Sequence, residues 1–208
     1  MSVTLFGLAG SPNVRGAMLG LAEKGVEYEL VEVAPPFKDP DHMARNPFGR
    51  VPAFEHDGFM LYETNAILRY VDQAFAGPAL QPTEPREAAR MDQILSIIDS
   101  YLFKSWSADI ALERLVAPTF FHRPSNLEAI EAAVPIARSS AEAVEALAST
   151  PFLTGDSFSL ADIRLMPHYN WFRFTPEGAA ILSGKSKLAE WFERVNKRPS
   201  AKEILVPL

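Results

Sequence analysis

Apolar and polar positions along the first part of the chain predict short strands and one helix. Short apolar runs predict strands over residues 3–6 and over YELVEV at 28–33, while helical spacing predicts a helix over 14–24. A strand, a helix and a second strand within about 30 residues form a βαβ unit with a parallel pair of strands. The chain is therefore expected to start with an α/β layer.

Strand patterns resume after a proline-rich polar stretch. APPFKDPDHMARNPFGRVP at 34–52 predicts a surface loop with room for one helical turn. AFEH at 53–56 and FMLYE at 59–63 flank Asp57-Gly58, which predicts a hairpin. Helical spacing follows in TNAILRYVDQAF at 64–75. These elements predict one α/β domain over residues 1–77.

No strand pattern returns after GPALQPTEP at 77–85. Apolar spacing predicts an all-helical domain over residues 84–208, broken at TPFLTGDSF and at TPEG. The predicted helices cover 84–116, about 127–148, 160–174 and 186–196.

Composition narrows the possible partners. The 208 residues carry a formal net charge of −6 and contain no run of lysines and arginines, which argues against nucleic acid or an anionic membrane as a partner. No apolar stretch approaches the roughly 18 to 20 residues of a membrane span, and no basic leader precedes Arg15, so we expect a cytoplasmic protein.

The cysteine and histidine content limits the reactions and the metal sites to be expected. The chain has no cysteine, which excludes a disulfide framework, a thiolate zinc site and a mechanism that uses a protein thiol. The four histidines are scattered without ligand spacing, so no metal site is expected. Any thiol chemistry here needs a thiol supplied by a ligand.

The stretch LAGSPNVR at 8–15 marks a helix start directly after the first strand. Ser11 can cap free amides, and Pro12 fits the first helical position. The N-terminus of a helix also attracts anions. Local sequence leaves both interpretations of Ser11 open, a plain helix cap and a site for an anionic group.

Two longer sequence segments carry a family resemblance. NPFGRVPAFEHDGFMLYETNAILRY at 46–70 and FSLADI at 158–163 resemble segments of the cytosolic glutathione transferases, particularly of the phi and related bacterial classes. The resemblance is close over 3–76 and looser over 152–198, and over 84–150 it is limited to helical character. It implies a thioredoxin-like α/β domain followed by an all-α domain, which is the glutathione transferase fold.

The resemblance implies a site for glutathione, a tripeptide with a free thiol. Related proteins use tyrosine, serine or cysteine near the first turn to activate the thiol. Here there is no cysteine and the first tyrosine is Tyr28, beyond the helix, so the role falls to Ser11. The resemblance also implies glutathione contacts from Lys38, Arg50, Val51, Pro52, Glu63 and Thr64.

Each of these glutathione contacts has a purely structural alternative. Val51-Pro52 is either a cis bond that presents the Val51 backbone to the ligand or an ordinary proline before an edge strand. Glu63-Thr64 is either a holder of the γ-glutamyl group or a helix cap. Lys38 and Arg50 are either anion holders or solvated loop cations.

The second substrate is expected to be electrophilic and mostly apolar. Ala9 in the first turn, with Tyr101 and Ser105 one helical turn apart in the second domain, are the candidates for its pocket. Ser159 and Asp162 form a capping box and are expected to be structural.

The leading functional interpretation is a glutathione transferase that forms a homodimer. Conjugation and peroxide reduction both fit the implied site. A non-catalytic scaffold on the same fold and a glutathione-dependent isomerase remain alternatives, because fold alone does not fix function. A thiol-disulfide reductase is disfavoured by the lack of cysteine.

Overall fold

The computed structural model describes residues 2–206, which form two compact units. The first unit contains the chain up to Leu80 together with the stretch from Pro199 onward. The second unit contains Gln81–Arg198. The sequence pattern had assigned all of 84–208 to the helical domain, whereas the residues from Pro199 pack with the first unit.

The first unit is built on a four-stranded sheet in the order β2-β1-β3-β4. β1 pairs in parallel with β2, and the β1–β3 and β3–β4 pairs are antiparallel. The strands are β1 (Val3–Gly7), β2 (Glu29–Glu32), β3 (Ala53–His56) and β4 (Phe59–Tyr62), and the helices are α1 (Pro12–Glu23), α2 (Pro40–Arg45) and α3 (Thr64–Ala74). The predicted βαβ unit and hairpin are both present.

The core of the first unit lies between the sheet and the helices α1 and α3. Leu5 and Phe54 of the sheet and Ile67 of α3 are fully buried. Burial of such side chains contributes about 1.5 to 3 kcal/mol each. A Cβ built on Gly20 of α1 would lie 2.3 Å from Leu68 Cδ2 of α3, so glycine lets these two helices approach closely.

The elements described for the second unit are all helices, and the one β-bridge described for it is the isolated pair Phe152 and Gly155. α4 (Pro85–Ile97) continues as a π-helical segment (Ile98–Val116), at whose end the Ala117 N–H donates to the Leu112 carbonyl five residues earlier at 2.8 Å. The other helices are α5 (Leu127–Leu147), α6 (Leu160–Phe172), α7 (Pro176–Leu182) and α8 (Ser186–Val195). Trp106 stacks on Phe172 in the core, with ring centroids 4.4 Å apart.

Two short helices differ from the sequence prediction. TPEG was expected to be a break, but Thr175 starts α7, and its hydroxyl oxygen accepts the Gly178 N–H at 2.9 Å. α9 (Pro199–Ile204) was not predicted and packs with the first unit. Across residues 2–206, no helix has the length and apolar character needed to cross a bilayer.

Candidate active site

Ser11 lies at the start of α1, directly after the turn that follows β1. Its backbone is extended (φ −65°, ψ 129°), its N–H donates to the Leu8 carbonyl at 2.8 Å, and its carbonyl accepts the Arg15 N–H at 2.9 Å. Among the described residues its side chain makes no capping hydrogen bond to α1, and Ser11 is half-buried. The hydroxyl is thus available to a ligand at the positive end of a helix.

The peptide bond between Val51 and Pro52 is cis and lies at the start of β3. The preceding carbonyl of Arg50 accepts hydrogen bonds from Asn46 Nδ2 at 2.8 Å and His42 Nε2 at 2.9 Å. Both donor side chains are almost fully buried. Asn46 and His42 therefore fix the backbone that enters the Val51-Pro52 bond.

Sequence reasoning missed the positioning role of Asn46 and His42. Asn46-Pro47 is a turn signal that could have indicated part of it, since the Asn46 Oδ1 accepts the Phe48 N–H at 3.1 Å. The contacts to the Arg50 carbonyl left no comparable local signal.

Glu63 and Thr64 lie where β4 passes into α3. Glu63 is exposed, precedes the first helical residue and has a positive φ of 71° with ψ 115°. This conformation costs a residue other than glycine about 1 to 3 kcal/mol and is concentrated at functional sites. Thr64 is the first residue of α3 and is buried, with its N–H at the positive end of the helix.

Lys38 and Arg50 are both exposed and lie close to the same glycine. A Cβ built on Gly49 would be 2.6 Å from Lys38 Nζ, so the ammonium group lies against the backbone directly before Arg50. Gly49 also has φ +58°. The Lys38 ammonium group therefore lies beside the backbone of Gly49, and Arg50 is the next residue in the same loop.

The register of the sheet brings these segments to one edge. Phe6 of β1 pairs with Ala53 of β3, which pairs in turn with Tyr62 of β4. The turn after β1, the Val51-Pro52 bond before β3 and Glu63 after β4 therefore lie side by side. Neighbouring strands are about 4.8 Å apart, so the edge from β1 to β4 spans roughly 10 Å, about the length of an extended tripeptide.

The three residues predicted for the electrophile pocket differ in exposure. Ala9 is exposed in the turn of the first unit, and Tyr101 is 55% exposed on the π-helical segment. Ser105 is buried, and its hydroxyl donates to the Tyr101 carbonyl at 2.9 Å. The pocket assignment of these residues stays a prediction.

Two buried polar networks lie in the helical unit. Asp162 accepts hydrogen bonds from the Leu153 N–H at 3.0 Å, from the N–H and hydroxyl of Ser159 at 2.8 Å each, and from Trp191 Nε1 at 2.7 Å. These bonds tie the start of α6 to α8 and to the preceding loop.

The second network is centred on His168, which is fully buried. Its Nδ1 lies 2.7 Å from the Ser107 hydroxyl and its Nε2 lies 3.3 Å from Arg164 Nη1. Burial, and then the charge of Arg164, hold the pKa of His168 well below its usual range. No group of three or more histidine, aspartate or glutamate side chains that could hold a metal ion occurs in the described part of the chain.

Comparison with known proteins finds matching family profiles and relatives for this chain. The family profile "Glutathione S-transferase, N-terminal domain" matches residues 1–73, and "Glutathione S-transferase, C-terminal domain" matches residues 128–194. A probable glutathione S-transferase GSTF1 of Oryza sativa subsp. japonica is 32% identical over 97% of this chain and 94% of its own.

Solved structures agree with the sequence comparisons. Glutathione transferase F7 from Populus trichocarpa superposes with a TM-score of 0.85 at 29% identity, covering 97% of each chain. A glutathione S-transferase-I with bound lactoylglutathione superposes with a TM-score of 0.84 at 26% identity, covering 99% of each chain.

The sheet order and the helical second unit define a two-domain protein whose first domain is thioredoxin-like. The chain belongs to the glutathione S-transferase family, a family of transferase enzymes. The resemblance inferred from the sequence, and the fold it implied, are thereby confirmed.

Proposed function

We propose that the protein binds glutathione along the β1–β4 edge of its first unit and uses Ser11 to hold the thiol as a thiolate. The observation that carries this proposal is the Ser11 hydroxyl, which makes no capping bond to α1 in the described structure and lies at the positive end of that helix. A free thiol has a pKa of about 8.5 and is mostly protonated at pH 7. Lowering it by two units requires about 2.7 kcal/mol of preferential stabilisation of the thiolate.

The rest of the edge matches the other groups of glutathione. The Val51 backbone before Pro52 pairs with the cysteinyl backbone like an added strand. Glu63 holds the free amine, and the N–H and hydroxyl of Thr64 hold the γ-glutamyl carboxylate. Lys38 and Arg50 hold the carboxylate of the glycine end. The exposed Glu63, the Lys38 ammonium beside Gly49 and the exposed Arg50 in the same loop support this orientation.

The reaction is nucleophilic attack by the thiolate on a mostly apolar electrophile. Attack on an electrophilic carbon forms a C–S bond and expels a leaving group such as halide, or opens a strained ring. Attack on a peroxide oxygen breaks the O–O bond, expels the alcohol and leaves glutathione as its sulfenic acid. The thiol of a second glutathione then attacks that sulfur, which forms glutathione disulfide and releases water. Conjugation of such electrophiles is a detoxification.

We infer a homodimer in the cytoplasm, the compartment in which glutathione keeps thiols reduced. A relative with a TM-score of 0.84 binds lactoylglutathione, and this supports a glutathione-derived ligand here as well. A monomer in sedimentation equilibrium at micromolar concentration would refute the dimer.

An ultraviolet difference titration tests thiol activation directly. Glutathione is added to the protein between pH 5 and 9, and thiolate absorbance is followed. We expect the bound thiol to ionise about two pH units below free glutathione. Glutathione that binds without early ionisation, or does not bind, would favour the non-catalytic scaffold.

Ser11→Ala tests the residue that carries the proposal. We expect the pKa of the bound thiol to rise and kcat to fall about 100-fold, while the Kd for glutathione changes by less than about threefold, because only the bond to the thiolate is lost. Ser183→Ala, at an exposed position after α7, is the matched control. Unchanged turnover in Ser11→Ala removes Ser11 from the mechanism.

A further inference from the structure

The C-terminal stretch of the described chain reaches back to the turn that carries Ser11. Arg15 Nε donates to the Ala9 carbonyl at 3.0 Å, and Arg15 Nη1 donates to the Val206 carbonyl at 2.9 Å. Ala9 lies in the turn before Ser11, and Val206 follows α9. One guanidinium group therefore binds both the turn before Ser11 and Val206, which follows Arg15 by 191 residues in sequence.

Arg15 is a buried cation that binds neutral acceptors. It is 4% exposed, and burial lowers the pKa of its guanidinium. Desolvating a charge is costly, and the two carbonyl hydrogen bonds offset part of that cost. The guanidinium is planar and presents its donors in a fixed fork, so it sets the Ala9 and Val206 carbonyls in a fixed relation.

Residues 199–206, which we call the strap, are anchored on α1 at two places. At the far end of α1, the Ser200 hydroxyl donates to the Glu23 carboxylate. Near its start, Arg15 binds Val206. The strap thus runs antiparallel to α1. Its apolar side chains Ala201, Ile204 and Leu205 are at most 8% exposed.

We propose that Arg15 is a positioning residue that, braced by the strap, holds the turn at residues 8–11 where the Ser11 hydroxyl can reach the glutathione thiol. This inference rests on the proposed role of Ser11. Arg15 acts through the Ala9 carbonyl, and the strap limits the motion of Arg15. Loosening either contact lowers the fraction of molecules in which the hydroxyl is correctly placed.

A pair of truncations separates the strap contact from the charge of Arg15. Deleting residues 206–208 removes the Val206 carbonyl and leaves the guanidinium in place. Deleting only residues 207–208 is the matched control, because both deletions create a new terminal carboxylate but only the shorter one keeps a Val206 oxygen that accepts from Arg15. We expect the longer deletion to raise the pKa of the bound thiol by about one unit and to lower kcat about tenfold, with the KM for glutathione changed less than about twofold. The shorter deletion is expected to behave as the intact chain.

Arg15→Lys supplies a second variant that keeps the charge. A lysine ammonium lacks the planar fork, so we expect the same rise in thiol pKa and the same loss in kcat. Thermal unfolding and far-ultraviolet circular dichroism establish that each variant is folded. Folded variants with the intact chain's thiol pKa and kcat overturn the proposal. If the longer deletion does not fold, the thiol pKa and kcat of Arg15→Lys alone decide whether the proposal holds.

Amide hydrogen exchange gives a measurement that does not depend on glutathione. The Ser11 N–H is bonded to the Leu8 carbonyl, and we expect its protection to fall in the 206–208 deletion and in Arg15→Lys, but not in the 207–208 deletion. In the unmodified protein, we expect the Ser11 and Leu205 amides to exchange through one common opening of the turn and the strap. The proposal that the strap braces the turn is overturned if Ser11 protection is unchanged in the 206–208 deletion and in Arg15→Lys. It is also overturned if the two amides open independently in the intact chain. Failure of the intact chain to lower the thiol pKa refutes the role of Ser11 instead.

Discussion

At the scale of single residues, Asn46 is expected to influence glutathione binding through the loop backbone and without touching the ligand. It donates to the Arg50 carbonyl and accepts the Phe48 N–H, and it is buried. We expect Asn46→Ala to lower the free energy of unfolding by about 1 to 3 kcal/mol, because a buried carbonyl loses a donor. We also expect the KM for glutathione to rise about tenfold, since the backbone entering Val51-Pro52 loosens. Urea unfolding and steady-state kinetics measure the two effects.

Asn126→Ala is the matched control for this prediction. Asn126 caps α5 in the helical unit, where its Oδ1 accepts the Ala129 N–H at 3.1 Å. Its replacement should also destabilise the protein, by about 1 kcal/mol, without changing the KM for glutathione. An equal KM in both variants would show that glutathione binding does not depend on the contact of Asn46 with the backbone before Val51-Pro52.

The sequence indicated some residues of the candidate site and gave no signal for others, for a physical reason. Ser11 could be predicted because the helix start at Ser11-Pro12 is a local signal. Val51-Pro52 and Glu63-Thr64 were identified through the family resemblance. The contacts of Arg15 and His42 depend on how distant backbone segments pack, and no local propensity encodes the position of a carbonyl at Val206.

At the scale of secondary-structure elements, His168 links α6 to the π-helical segment through a hydrogen bond to Ser107. Arginine is only a donor, so His168 Nε2 accepts from Arg164, and Nδ1–H donates to Ser107. Arg164 also binds Asp99 at 2.7 Å. Protonating His168 would put a second positive charge against Arg164 in a buried place.

The pKa of His168 therefore predicts a loss of stability in mild acid. Its folded-state pKa is lowered, whereas in the unfolded chain a histidine titrates near 6.5. Below about pH 6.5 the unfolded state binds more protons than the folded state. The free energy of unfolding therefore decreases as the pH is lowered, by up to about 1.4 kcal/mol per pH unit. We expect His168→Gln to flatten this dependence between pH 5 and 6.5.

Tryptophan fluorescence can follow this effect in the helical unit alone. All three tryptophans, Trp106, Trp171 and Trp191, lie in that unit. Urea midpoints are measured at several pH values for the unmodified protein, His168→Gln and the control His122→Gln, whose side chain is exposed. An equally steep dependence in His168→Gln would exclude His168 as its source.

Most elements were predictable because their hydrophobic period is local. The strands of the hairpin and the helices α3, α5, α6 and α8 follow their apolar spacing closely. α7 was missed because Thr175-Pro176 and Gly178 resemble a turn, although a threonine cap followed by proline also starts a helix. Gly178 is required there, since a Cβ would lie 1.9 Å from the Phe172 carbonyl oxygen.

At the scale of the whole molecule, the first unit is built from both ends of the described chain. The helical unit is inserted between Leu80 and Pro199, and α9 returns to pack with α1. Short apolar patterns such as the one in α9 do not specify which unit they join. The strap therefore depends on the folding of the roughly 120 residues that precede it, because closing a flexible loop of that length costs about 4 kcal/mol.

Asp162→Ala tests this dependence. The substitution leaves the buried N–H groups of Leu153, Ser159 and Trp191 without their acceptor, and we expect it to lower the free energy of unfolding by about 3 to 5 kcal/mol. The 4 kcal/mol of loop closure is comparable to the total stability of a domain. Unfolding of the helical unit should therefore also release the strap. Tryptophan fluorescence and exchange of the Leu205 amide, which is bonded to the Ala201 carbonyl, should then report the same lowered urea midpoint.

Asp156→Ala, at an exposed position in the loop before α6, is the control for this prediction and should leave both midpoints unchanged. A Leu205 amide still protected after the tryptophan signal is lost would show that the strap holds to α1 without a folded helical unit.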